Sequence, residues 1–100
     1  MTRTIGRSEI KIPGGKLIRV ECTVEKKILF GIVVTGDFFL HPEDALQELE
    51  RELTGLRAEP EILSSHVMEF FRKGYKLVGA TPEDFAKAVV EAASKATHSG

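Results

Sequence analysis

Residues able to do chemistry are few in this sequence, and they are scattered. The three histidines, His41, His66 and His98, are isolated, and none has the partner four residues away that a helical zinc site requires. The single cysteine, Cys22, alternates with apolar residues along an extended run and reads as a small buried apolar side chain. A reactive thiol needs exposure and a neighbouring positive charge or helix N-terminus. Carboxylates are paired at Glu43-Asp44 and Glu83-Asp84, yet each pair follows a proline, where a helix start accounts for them without catalysis. No Walker loop and no dinucleotide fingerprint is present. Pro13-Gly14-Gly15-Lys16 comes nearest to a phosphate-cradling loop, but it is too short and precedes a strand, which is the setting of a hairpin turn. These patterns assign no catalytic residue and no metal ligand.

The elements that must position these residues fall into two halves. Residues 1–8 read as a loose lead-in. Glu9 to Ile12 alternates as a short strand, and Pro13-Gly14-Gly15 is a turn. From Lys16 to Glu25 the alternation is strict: Ile18, Val20, Cys22 and Val24 point one way, Arg19, Glu21, Thr23 and Glu25 the other. That is the period of a strand with one buried face. Lys26-Lys27 is a tight polar connection to Ile28–Thr35, and the two runs suit an antiparallel hairpin. The second run is apolar on both faces, which predicts a strand covered on both sides or central in its sheet. Gly36-Asp37 breaks it, and Phe38-Phe39-Leu40 follows as a short apolar segment.

The second half is helical. A first helix opens after His41 with Pro42 at its first position, places Ala45, Leu46, Leu49 and Leu53 on one face, and is closed by Gly55. A second begins near Pro60, carries Leu63, Val67, Phe70 and Phe71, and stops at Gly74. Tyr75 to Gly79 reads as a connector. Thr81-Pro82-Glu83-Asp84 starts the third helix with a capping hydroxyl, a proline and two carboxylates, and Phe85, Val89, Ala92, Ala93 and Ala96 form its apolar side. Ala96 to Gly100 reads as a frayed tail. Strands first and helices after predict an α+β fold: a small antiparallel sheet of two to three strands in the N-terminal half, packed against about three helices from the C-terminal half.

The whole chain, 100 residues, suits a single domain spanning 1–100. A chain of this size buries only about 60–70% of its unfolded surface, so its core is thin and a partner surface can add burial. The 14 Lys and Arg nearly balance 15 Asp and Glu, which argues against nucleic acid as the main ligand. The basic residues Arg3, Arg7, Lys11, Lys16 and Arg19 do gather in the first fifth of the chain. One cysteine permits no internal disulfide, no apolar run spans a membrane, and the polar start MTRTIGRSE has no signal-peptide pattern. The expected setting is the cytoplasm.

Two stretches and a helix start carry a family resemblance. Lys11-Ile12-Pro13-Gly14-Gly15-Lys16-Leu17-Ile18-Arg19-Val20 runs into a strand. After the second strand come Thr35-Gly36-Asp37-Phe38-Phe39-Leu40 and Pro42-Glu43-Asp44-Ala45-Leu46. Together with Gly79-Ala80-Thr81-Pro82-Glu83-Asp84-Phe85 they resemble the C-terminal accessory domain of lipoate–protein ligase A, a domain that is a separate polypeptide in some prokaryotes. The resemblance spans roughly residues 8 to 95.

It implies a subunit that is not catalytic alone, binds a catalytic ligase subunit as a heterodimer, and supports ATP-dependent formation of lipoyl-adenylate for protein lipoylation. ATP, Mg and lipoate are implied for the complex and none for this chain alone; lipoyl-acceptor domains are served indirectly. Residues that would face the partner or a phosphate are Gly14 and Gly15, where the backbone can come close; Lys16 beside them; Arg19, outward on its strand; and Asp37, Phe38 and Phe39. Asp37 suits a turn-fixing carboxylate better than a direct role. Phe38 and Phe39 are adjacent and cannot share a strand face, so one can fill the core while the other anchors a partner, unless both are core. Two other readings stand beside this one. A sulfur- or cluster-handling scaffold would need an exposed, reactive Cys22. A lipoyl-carrier-like domain would display Lys26 or Lys27 at a hairpin tip, against the helical second half.

Overall fold

The strict alternation of Lys16–Glu25 makes it the strand around which the molecule is built. A computed structural model describes residues 3–14 and 16–98, with Gly15 and the terminal residues outside that range. In chain order the elements are β1 (Thr4–Ile12), β2 (Lys16–Glu25), β3 (Ile28–Gly36), β4 (Phe39–His41), α1 (Ala45–Leu53), α2 (Pro60–Phe71), β5 (Lys76–Val78) and α3 (Pro82–His98). β2 lies at the centre of an antiparallel sheet ordered β1-β2-β3. Its inward residues Ile18, Val20, Cys22 and Val24 are at most 4% exposed. Helix α3 covers β1 and β2 on that one face and α1 covers β3, while α2 packs against α3 and α1. The expected α+β arrangement is therefore observed, with three strands in the main sheet. Among the described residues no helix is long and apolar enough to cross a membrane.

Four local expectations are corrected. Residues 4–8 of the lead-in instead open β1, which pairs with β2 from Thr4↔Val24 to Ile12↔Lys16, while Met1 and Thr2 lie outside the described residues. Beyond Ile10 and Ile12, which alternate as expected, the inward positions of β1 are Gly6 and Ser8, so its first half lacks the apolar alternation that marks a half-buried strand. They are small because α3 crosses close by: a Cβ on Gly6 would collide with the Ala92 carbonyl oxygen and the Ala96 amide. The buried Ser8 hydroxyl donates a 2.7 Å hydrogen bond to the Ala88 carbonyl.

Second, β3 is an edge strand with one open face, where Phe30 and Val33 are half-exposed. Its free edge is tended by neighbours: the Val34 N–H donates to the Glu50 carboxylate at 2.8 Å, and the Leu29 N–H to the Leu56 carbonyl at 2.8 Å. Third, α1 starts at Ala45 rather than Pro42. Pro42 lies in the preceding turn, its carbonyl accepting the Ala45 N–H at 2.9 Å. Fourth, the tail is helical through His98, and Ala96 is buried against β1.

The third helix start behaves as its sequence predicts. The Asp84 N–H donates to the Thr81 hydroxyl at 3.1 Å, and the Thr81 N–H donates to the Asp84 carboxylate at 3.0 Å, a reciprocal capping box. The Lys26-Lys27 connection is a tight turn with both residues at positive φ, 52° and 66°. The core between sheet and helices is closed by Phe70 and Phe85, both fully buried.

Candidate functional site

The site grows from the end of β3. Here the chain must leave the sheet at close quarters: a Cβ on Gly36 would run into the Leu17 carbonyl and come within 2.9 Å of the Phe38 ring. The Asp37 N–H then donates to that Leu17 carbonyl at 2.9 Å, fixing the exit. The next two side chains part, as adjacent residues on extended backbone must. Phe38 turns inward and meets Phe85 edge-on, with ring centroids 4.8 Å apart. Phe39 turns outward and is 74% exposed.

Phe39 opens β4, and β4 has a partner that the sequence alone did not reveal. The segment read as a connector contains β5, antiparallel to β4, with Phe39↔Val78, Leu40↔Leu77 and His41↔Lys76 in register. The period of two sorts the ribbon into faces. Leu40 and Leu77 are half-buried against the core, while Phe39, His41, Lys76 and Val78 are exposed. A large apolar pair, Phe39 and Val78, thus stands in water next to a basic pair, His41 and Lys76.

Lys16 joins this site across the chain. Gly79 follows β5 at φ 96°, and a Cβ there would stand 3.2 Å from the Lys16 Nζ and 3.2 Å from the Asp37 carbonyl oxygen. The ammonium is therefore close over bare backbone, and a larger residue there would press on it. Lys16 makes no ion pair among the described residues. The ribbon's flank is anchored by α1: the Tyr75 hydroxyl donates to Glu48 at 2.8 Å and Lys73 to Glu52 at 2.7 Å. Those bonds raise the pKa of both Tyr75 and Lys73 above their ordinary values. Tyr75 also stacks on Phe70 with centroids 4.4 Å apart.

Of the residues singled out from the sequence, Lys16, Asp37, Phe38 and Phe39 come together here. Arg19 does not reach the ribbon. It pairs with Glu9 at 2.7 Å on the open face of the sheet, where it and Asp37 line a hollow of about 270 Å3. Gly14 is at the β1–β2 turn with φ 101° and open space around it, and Gly15 lies outside the described residues. Sequence reasoning missed Lys76, Val78 and Gly79. Their strand is three residues long, too short for a period to show, and its partner is distant in sequence.

Little else offers chemistry. Cys22 is 1% exposed, and burial above all pushes its thiol up to about 11. At neutral pH only on the order of one thiol in ten thousand is then ionised, against the reactive scaffold reading. Among the described residues no group of three or more His, Cys, Asp and Glu is gathered as a metal would require.

Comparison with known proteins points in one direction. Residues 7–89 match the family described as bacterial lipoate protein ligase C-terminus. The lipoate-protein ligase A subunit 2 of Thermoplasma acidophilum is 34% identical over 73 residues, 73% of this chain and 76% of that protein. A solved chain from the structural analysis of an archaeal lipoylation system, a bi-partite lipoate protein ligase and its E2 lipoyl domain from Thermoplasma acidophilum, is similar with a TM-score of 0.79 and 30% identity. The likeness covers 88% of this chain and 97% of that one.

Proposed function

The chain belongs to the bacterial lipoate protein ligase C-terminus family, and on that premise we propose that it is the accessory subunit of a bipartite lipoate–protein ligase. The observation that carries this reading is the likeness to a protein named as subunit 2 of a lipoate-protein ligase, 34% identical over 76% of that protein. The chain binds a catalytic subunit as a heterodimer in the cytoplasm. It supports the joining of lipoate and ATP into lipoyl-adenylate, from which the lipoyl group passes to a lysine of an acceptor domain. Mg, ATP and lipoate are needed by the complex, and this proposal asks none of the residues of this chain to hold them. In this reading they are bound by the catalytic subunit.

The contribution of this chain is positional and electrostatic. Adenylation develops negative charge on phosphate, and a docked domain can exclude water and hold a cation near it. Lys16 suits that role, because its ammonium is held over Gly79 beside an exposed apolar pair and carries no ion pair among the described residues. The test is reconstitution. The catalytic subunit is assayed for lipoyl-adenylate with and without this chain, and a marked rise on addition is expected. Equal activity in both arms sinks the proposal. Lys16→Ala should reduce the stimulation and leave complex formation largely intact; a complex that falls apart would make Lys16 a docking residue instead.

A further inference from the structure

The three-stranded sheet and the two-stranded ribbon both show apolar side chains to water, but on different terms. On the sheet's open face Ile5, Phe30 and Val33 are 47–57% exposed. They are interleaved with cross-strand ion pairs: Arg3–Glu25 at 2.8 Å, Arg7–Glu21 at 3.0 Å and Arg19–Glu9 at 2.7 Å. The Arg3 guanidinium also lies 4.1 Å from the centroid of the Phe30 ring and partly shelters it. The three arginines of that face are each neutralised within it. The groove between α2 and α3, about 720 Å3 and walled by Pro60, Met68, Ala86 and Val90, has nothing in the structure to say what would cover it.

On the ribbon the exposed groups have no such partners. Phe39 and Val78 are directly opposed across β4 and β5, 74% and 48% exposed. Lys76 is on the same face one pair further along, and the Lys16 ammonium sits at the opposite end by Gly79. Neither lysine makes an ion pair among the described residues. The surface is an aromatic–aliphatic knob with a cation on either side. Aromatic anchors ringed by polar groups dominate interface energetics, and complementary charge fixes the register of docking. The ribbon is also well held from behind, by Phe38 against Phe85 and by Tyr75 on Glu48, so little ordering is left for binding to impose.

We propose that the outer face of the β4–β5 ribbon is the docking element of this chain, with Phe39 and Val78 entering an apolar pocket of the catalytic subunit whose rim is acidic and meets Lys76. This rests on the reading of the chain as a ligase subunit. Val78, Lys76 and Gly79 thereby become interface-forming residues together with Phe39.

The experiment measures the affinity of the purified catalytic subunit for the full chain by calorimetry, with the thermal midpoint of each variant measured in parallel. Phe39→Ala is expected to weaken binding at least tenfold and Phe39→Ala with Val78→Ala at least a hundredfold, with midpoints close to that of the unaltered chain. Lys76→Glu should weaken binding and flatten its dependence on salt. Val33→Ala, also exposed but on the sheet, should leave affinity within twofold. Binding that survives the double substitution overturns the docking proposal and leaves the ligase reading intact; loss of affinity in Val33→Ala instead would move the interface to the sheet. If the unaltered chain does not bind the catalytic subunit, both fall together.

Discussion

The seam between β1 and α3 and the ribbon of β4 and β5 invert the usual assignment of residues. The seam hides the small and polar ones. Gly6 lies under the α3 backbone, and the buried Ser8 bonds to Ala88. The ribbon leaves out the large and apolar ones, Phe39 and Val78. In the seam, close approach is the requirement: a helix and a strand meet backbone to backbone, and the buried Ser8 hydroxyl finds its partner inside the molecule. At the ribbon the inward side is completed by Leu40, Leu77 and Phe38, while the outward side is left unfilled. Where a fold spends its smallest residues tells how it is held; where it leaves its largest ones exposed tells where something else belongs.

If that contrast is right, damage to the seam costs stability and damage to the ribbon costs partnership. The largest effect expected is Gly6→Ala. The added methyl would meet the Ala92 carbonyl and the Ala96 amide, both backbone and unable to swing aside. Forcing the helix off the sheet should cost about 3 kcal/mol or more, read by urea denaturation. A loss below about 1 kcal/mol would mean that the seam is looser than it looks.

Next is an alkaline loss of stability that belongs to the seam through Cys22, the cross-strand partner of Gly6. Its thiol is raised from 9.0 to about 11, so folding favours the protonated form. The stabilisation is whole below pH 9 and drains away as pH rises through about 11. The difference amounts to about 3 kcal/mol once the thiol is fully ionised. Denaturant midpoints measured between neutral and alkaline pH should fall accordingly, and Cys22→Val should remove most of the slope. What slope persists reports Lys73 and Tyr75 at the ribbon's flank, whose pKa values are also raised, by hydrogen bonds to Glu52 and Glu48, and which act in the same direction.

The smallest effect is expected on the sheet's open face. Arg19 and Glu9 are both more than half exposed despite their 2.7 Å contact. Arg19→Gln should change stability by less than about 0.5 kcal/mol and leave the stimulation of adenylate formation unaltered. A clear loss of stimulation would extend the functional surface from the ribbon, through the Arg19–Asp37 hollow, onto the sheet.

How much of this could be read from the sequence depended on range. β2 was legible because its inward residues are all apolar, and the start of α3 because Thr81 and Asp84 cap each other within one turn. β1 was legible only over Glu9–Ile12, where Ile10 and Ile12 alternate; its first half was not, since what Gly6 and Ser8 needed was smallness, a demand set by a helix near the other end of the chain. β3 looked central because Phe30 and Val33 are apolar, but composition does not say whether an apolar face is covered. At the site, the parting of Phe38 and Phe39 was legible from adjacency alone. The facing of Phe39 by Val78, and the seating of Lys16 over Gly79, were not, because both join segments that only the fold brings together.

The central claim is that the ribbon, and not the sheet, faces the catalytic subunit. Its most direct test places a photo-crosslinking amino acid at Phe39 in one sample and at Val33 in another, both exposed positions, and irradiates each with the catalytic subunit present. A covalent heterodimer from position 39 and none from position 33 is the expected result. Crosslinking from position 33 alone would contradict it.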